Sequence, residues 1–154
     1  MPTEPLRRWI TMNDKTSALS IRDAHLEDVE AVLNLWRAAE ATPGVTDTSA
    51  DLCRAISDSP ATVLLAEMDG LLVGSIILAF DGWRGNIYRL AVDPDARRRG
   101  VARALVAEVE RRLSAQGVKR ITALVEKAHP RAMGFWEAVG YRVDERIVRR
   151  VRNL

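Results

Sequence analysis

The chain has 154 residues, 47% of them hydrophobic, which suits one domain with a single substantial core, and no second domain is expected. Its 23 lysines and arginines stand against 21 aspartates and glutamates, and the formal net charge of +2 excludes the strongly basic balance of a nucleic-acid-binding protein. The one cysteine, Cys53, excludes an internal disulfide and a cysteine metal cluster, so a reducing, cytoplasmic compartment is the expectation.

Residues 1–17 carry Arg7 and Arg8 but no apolar stretch like that of a secretory signal; they are expected to form a tail ahead of a single domain over 18–154. The alternation Leu19-Ser20-Ile21-Arg22 predicts a short strand, and Leu26, Val29, Val32, Leu33 and Trp36 then recur at helical spacing. Glu27 and Asp28 fall in the first turn of that helix, where the macrodipole favours negative charge. Pro43-Gly44 makes 41–48 a loop, and a short helix over 49–57 follows, ended by Ser59-Pro60. Two β-rich runs, 62–68 and 71–80, flank Asp69-Gly70 and predict a hairpin. The second run contains Gly74 and Ser75 and is too short to cross a bilayer as a helix, so no membrane span is expected. A third strand over 86–92 ends at Asp93-Pro94, where proline has no N–H for a ladder.

The pattern then changes. Val101, Ala102, Leu105, Val106, Val109 and Leu113 form one stripe of a helix closed by Gly117, and a strand over 121–125 follows. Strand, helix and strand in this order predict a right-handed βαβ unit with parallel strands. Pro130 opens and Gly140 closes a last helix, and 141–151 is predicted as a terminal strand.

A strand ending at Val92, a polar loop and a helix starting near Gly100 leave several backbone N–H groups unsatisfied at a helix N-terminus, which is an anion site. Gly100 lets the backbone approach an oxygen with no Cβ in the way, and the small Ala102 keeps the next turn open. Arg97, Arg98, Arg99 and Arg103 supply charge-assisted contacts to a phosphate. Taken alone, the hexapeptide Arg97–Ala102 is equally a solvated basic turn. No Gly-Lys-Ser or Gly-Lys-Thr ends it and the three-glycine dinucleotide pattern is absent, so the common nucleotide loops are excluded.

Leu90-Ala91-Val92-Asp93-Pro94 followed by Arg97-x-x-Gly100-x-Ala102 resembles the central motif of the GNAT N-acetyltransferase superfamily. Ala132-Met133-Gly134-Phe135-Trp136-Glu137-Ala138-Val139-Gly140-Tyr141 is similar to that family's later motif, and the order of elements from Leu19 onward also fits. The resemblance implies an α/β (α+β) acyl-CoA N-acyltransferase fold: a mixed, mostly antiparallel central sheet flanked by about four helices, with the parallel strands 86–92 and 121–125 splayed apart. It implies transfer of an acetyl group from acetyl-CoA to a primary amine of a small molecule or peptide; with one cysteine and two histidines in the chain, no metal is expected. Backbone groups of Leu90, Ala91 and Val92 are then expected to bond the pantetheine amides as another strand would, and the amides of residues 98–103, Val101 and Ala102 among them, to hold the pyrophosphate. His129 stands where relatives often have an asparagine that contacts CoA; capping the helix at Pro130 is its alternative role.

The sequence also departs from the family pattern. In many relatives the second residue of the aromatic pair is a tyrosine that protonates the departing thiolate, but here it is Trp136, whose indole is no such acid. Trp136 either packs against the pantetheine arm or fills core. Tyr88 and Tyr141 retain phenols, and Tyr141 is a candidate acid with core packing as its alternative. Residues 85–92 contain no carboxylate, so the base is unassigned; Glu126 is a candidate, an exposed strand-end charge being the alternative. Glu126-x-x-His129 is not a metal site, because Pro130 prevents a continuous helix through both. The acceptor is expected over the first helices, at Trp36, Glu40, Asp47 and Asp51, where acidic groups suit a cationic amine and a solvated face is the alternative. Trp83 and Arg84 line the same mouth or serve a homodimer contact. A non-catalytic acyl-CoA-binding regulatory domain is the second functional reading, whereas 5% aromatics with no interleaved basic and aromatic strand exclude an RNA-binding sheet.

Overall fold

The computed structural model describes residues 18–58 and 60–154; the tail expected over 1–17 and the helix stop at Ser59 lie outside the described residues. Asp69 and Gly70 adopt φ of 53° and 78°, the pair of left-handed residues that a two-residue hairpin turn demands. They fold β2 (Ala61–Met68) back onto β3 (Leu71–Phe80). β1 (Leu19–Asp23) pairs antiparallel with β2, β4 (Gly85–Val92) antiparallel with β3, and β5 (Ile121–Ala123) parallel to β4, giving the order β1-β2-β3-β4-β5. This is the mixed sheet that the resemblance implied.

Alternation along β2 assigns its residues to two faces. Val63 and Leu65 pack with Val29, Val32, Leu33 and Trp36 of α1 (Val29–Ala38) and Leu52 of α2 (Ser49–Ser57). Leu64, Ala66 and Met68 pack on the opposite side with the stripe Val101, Leu105, Val106, Val109 and Leu113 of α3 (Val101–Ala115) and with Trp136 of α4 (Pro130–Ala138). A sheet buried on both faces explains why β2 and β3 read as nearly continuous apolar runs.

β4 departs from a regular strand. Ser75 lies opposite Ala91 and Ile77 opposite Tyr88, so Arg89 and Leu90 share the position facing Ile76. This bulge, with Arg89 at φ 52°, inverts the alternation: Ile87 packs on the α3 side and Ala91, four residues on, packs on the α1 side. Only Gly85, Asn86 and Ile87 of β4 pair with β5, and Leu124 N donates to Ile87 O at 3.2 Å where the ladder ends. From Tyr88 to Val92 the strands have parted, and β5 stops at Ala123 rather than at Val125.

The terminal strand expected over 141–151 is not formed. Gly140, at φ 92°, ends α4 as expected, but Asp144 then accepts from Arg120 at 3.1 Å and from Arg146 at 2.9 Å, and Ile147 N donates to Asp144 O in a tight turn. The turn breaks the period-two pattern, and Val143, Ile147, Val148 and Val151 stay exposed.

Arg22 joins three elements near the start of the fold. It donates to Asp28 at 2.8 and 2.9 Å and to Glu67 at 3.0 and 2.8 Å. The hydrogen bonds from Arg22 hold the Asp28 carboxyl at about 2, and those from Arg111 and Arg112 hold Glu108 at about 2. Both values lie below those of an unfolded chain, so the stabilisation is fully present above roughly pH 4–5 and is lost as the pH falls toward 2. Asp28→Asn is expected to lower stability at neutral pH and to flatten the loss between those limits, measured by circular dichroism during acid titration; an unchanged slope would contradict the role of the Arg22 cluster.

Candidate cofactor and acceptor cleft

Gly100 is the N-cap of α3 at φ 80°; it offers no side-chain cap, and the first turn holds no acidic residue. By contrast, Thr48 and Asp93 cap α2 and the 3-10 turn Pro94–Ala96 with their own oxygens. The first bond of α3 runs from Ala104 N to Gly100 O at 3.0 Å, leaving the N–H groups of Val101, Ala102 and Arg103 with no intrahelical acceptor. Arg98 is also left-handed, at φ 61°, and left-handed residues ahead of a helix curl its loop into a concave nest of N–H groups. A Cβ added to Gly100 would meet nothing within 4 Å, so this nest is open.

From the nest an open cleft of about 1670 Å³ follows the parting of β4 and β5 and reaches the loop after α1. Arg97, Arg98, Gly100, Val101, Ala102 and Arg103 line its anion end. Leu90, Ala91 and Val92 line the middle on one side, with Glu126 and His129 on the other, and Trp136 borders it. Trp36, Glu40, Asp47 and Asp51 line the far end. The cleft thus brings together most of the residues singled out by sequence, from motifs far apart in the chain.

Arg99, Tyr141, Trp83 and Arg84 lie elsewhere. Tyr141, expected as a candidate acid, packs edge-on against Trp136 with ring centroids 4.8 Å apart, and its hydroxyl donates to Glu110 Oε1 at 3.0 Å. Burial, and then the Glu110 charge, push this phenol up from its ordinary value, which makes it a poorer proton donor.

Other roles are narrowed. Arg97 Nη2 donates to Ala39 O at 3.3 Å, tying the loop to the end of α1. Trp136 is 7% exposed and stacks edge-on with Phe135, so it fills core while bordering the cleft. His129 occupies the N-cap position of α4, but its ring makes no capping bond. Trp36 is core: it is 5% exposed and Nε1 donates to the buried Ser75 Oγ at 3.0 Å. Asp51 is paired with Arg54 and bonded to Thr48, and Asp47 is paired with Arg89 and accepts from Gly44 N at 3.0 Å. Of these far-end carboxylates, Glu40, left-handed at φ 58°, has no ion pair among the described residues. Trp83 is 73% exposed beneath the Arg84 guanidinium and does not line the cleft. Arg89, which does, was missed by sequence reasoning, because nothing in Gly85–Val92 announces a bulge.

Among the described residues no group of three His, Cys, Asp or Glu is placed to hold a metal ion, and no helix is long and apolar enough to cross a membrane. A mixed sheet parted between parallel strands, beside an uncapped helix N-terminus ringed by arginines, is the architecture of the acyl-CoA N-acyltransferases. Residues 29–141 match the family model described as "Acetyltransferase (GNAT) family", and the chain belongs to that family. It is 35% identical over 123 residues to an acetyltransferase of Pectobacterium atrosepticum, covering 80% of this chain and 87% of that one. The fold matches PaiA N-acetyltransferase from Thermoplasma acidophilum in complex with coenzyme A, with a TM-score of 0.77 and 18% identity, over 83% of this chain and 92% of that one. It also matches a ribosomal-protein-alanine N-acetyltransferase from Brucella melitensis biovar Abortus, with a TM-score of 0.70 and 21% identity, over 89% and 100%. The protein is an acetyl-CoA-dependent N-acetyltransferase with acetyl-CoA as its co-substrate. The open nest and the unpaired edge of β4 fit that group: one suits a diphosphate, the other a chain of amides.

Proposed function

We propose that this enzyme acetylates a primary amine of a small molecule or peptide, with the acceptor entering beside α1 and the 41–48 loop. The observation that carries the reading is a single cleft with N–H groups at one end, an unpaired strand edge in the middle and carboxylates at the other end. The N–H groups of Val101, Ala102 and Arg103, with the Arg98 and Arg103 side chains, hold the diphosphate. The peptide groups of Leu90, Ala91 and Val92 bond the pantetheine amides, and an N–H among them stabilises the oxyanion of the attacked thioester. Glu40 attracts the cationic acceptor, and Glu126 takes the proton that must leave before nitrogen can attack.

Holding amine and thioester together contributes most of the rate, about 7–11 kcal/mol where alignment is good. Proton transfer through Glu126 adds about 10²- to 10⁴-fold. The indole N–H of Trp136 is far too weak an acid for the task and Tyr141 is engaged by Glu110, so water at the open cleft protonates the departing thiolate.

The test is thiol release from acetyl-CoA against polyamines, aminoglycosides, amino acids and peptide amines. Amine-dependent release is expected, with Glu126→Gln lowering kcat about 10²-fold or more at an unchanged acetyl-CoA KM. Tight cofactor binding with no turnover on any amine would favour a regulatory acyl-CoA-binding domain instead.

A further inference from the structure

The loop at the acceptor end is fastened to the sheet by a side chain that no motif marks. Arg89 stands at the β4 bulge with φ 52°, a backbone region that non-glycine residues occupy only where their surroundings hold them. Its Nη1 donates to Thr42 O at 2.7 Å, its Nη2 is paired with Asp47, and its guanidinium lies 5.2 Å from the centre of the Trp36 ring. Trp36 is itself fixed by its bond to Ser75. The loop closes so near that a Cβ on Gly44 would lie 2.8 Å from Arg89 Nη2. With Arg89 at 22% and Asp47 at 18% exposure, the pair is largely shielded from water, where charge pairing is stronger than on an open surface.

One guanidinium therefore links the 41–48 loop to the residue immediately before Leu90. We propose that Arg89 is a positioning residue for acetyl transfer: through Asp47 and the Thr42 carbonyl it holds the loop in register with Leu90–Val92, so that an amine bound at the loop meets the acetyl carbonyl at reacting distance. This rests on the amine-acceptor reading above. It also reassigns Asp47, which serves the loop rather than the acceptor's charge. The bulge is what permits the arrangement, because it turns Arg89 toward α1 while the strand continues along the cleft.

The test compares Arg89→Gln, Arg89→Lys, Asp47→Asn and the double variant Arg89→Gln/Asp47→Asn, each with two readouts. In steady state, Arg89→Gln is expected to lower kcat/KM for the acceptor about 30-fold while the KM for acetyl-CoA stays within about twofold. Arg89→Lys is expected to recover part of the loss, because an ammonium keeps the charge but not the fork. The double variant is expected to lose no more than Arg89→Gln alone, since both changes break one interaction. An unchanged acceptor kcat/KM, or an equal rise in the acetyl-CoA KM, overturns the proposal. Hydrogen exchange of the amides of residues 41–48 with acetyl-CoA present is the second readout. It is expected to be about tenfold faster in Arg89→Gln, with β2 and α3 unchanged. Unchanged loop exchange also overturns it. Faster loop exchange in a protein whose wild type acetylates no amine marks the failure of the acceptor reading, and the positioning role falls with it.

Discussion

Gly100→Trp is expected to abolish the thermal stabilisation that acetyl-CoA confers on the wild-type protein. At about 100 times Kd a ligand stabilises the native state by about 2.7 kcal/mol, and for a domain of this size that raises the melting temperature by roughly 5–10 °C. The space a Cβ would enter at Gly100 is empty, so an indole there would occupy the nest formed ahead of Val101, Ala102 and Arg103. Any side chain at φ 80° also strains the backbone, by about 1–2 kcal/mol, and this must be separated from loss of the site. Gly100→Ala carries the same strain without the ring. Both variants should melt below wild type, but only Gly100→Trp should lose the acetyl-CoA shift. A full shift in Gly100→Trp would remove the diphosphate from this nest.

Gly74→Ala and Gly85→Ala are expected to destabilise the protein by similar amounts and to differ in cofactor binding. A Cβ at Gly74 would lie 2.7 Å from Val101 Cγ1 and 3.1 Å from Leu105 Cδ1; one at Gly85 would lie 2.6 Å from Leu113 Cδ1. Val101, Leu105 and Leu113 are at most 1% exposed, so none can turn aside into solvent, and overpacking of this kind costs about 1–3 kcal/mol. Gly74 pushes on the first turn of α3, next to the nest, whereas Gly85 pushes on the last turn. Calorimetric titration should therefore show acetyl-CoA affinity weakened about tenfold or more by Gly74→Ala and little changed by Gly85→Ala. Equal affinities in the two variants would mean that the α3 N-terminus does not set cofactor binding.

Much of the fold was legible because its signals are local. Asp69-Gly70 dictates a hairpin by backbone conformation alone, the α3 stripe repeats at helical period over its whole length, and Gly117 and Gly140 sit at the left-handed positions that end helices. The N–H-lined end of the cleft was legible for the same reason, since strand, loop and helix N-terminus are contiguous in sequence. Pairing across distance was not. The Arg89 bulge follows from how β4 registers against β3, and no residue type in Gly85–Val92 encodes it. The acidic residues of the acceptor end looked alike in sequence, yet Asp47 and Asp51 are engaged by Arg89 and Arg54, partners that only the fold identifies for Asp47 and that helix spacing supplies for Asp51. Tyr141 is half-buried and bonded to Glu110, which stands more than two turns of α3 beyond the Arg97–Ala102 motif, so no motif announces the pair. The segment 141–151 has strand composition, but the turn at Asp144 shifts its alternation and leaves its apolar residues unpaired.

The central claim is that the parted β4 edge and the α3 N-terminus together take acetyl-CoA, and backbone amide exchange measured with and without acetyl-CoA tests it most directly. Amides of Leu90–Val92 and of Val101–Arg103 should gain protection together at saturating cofactor, while those of β1 and β2, remote from the cleft, stay as they were. No gain at either segment, or protection confined to another part of the surface, would contradict the account.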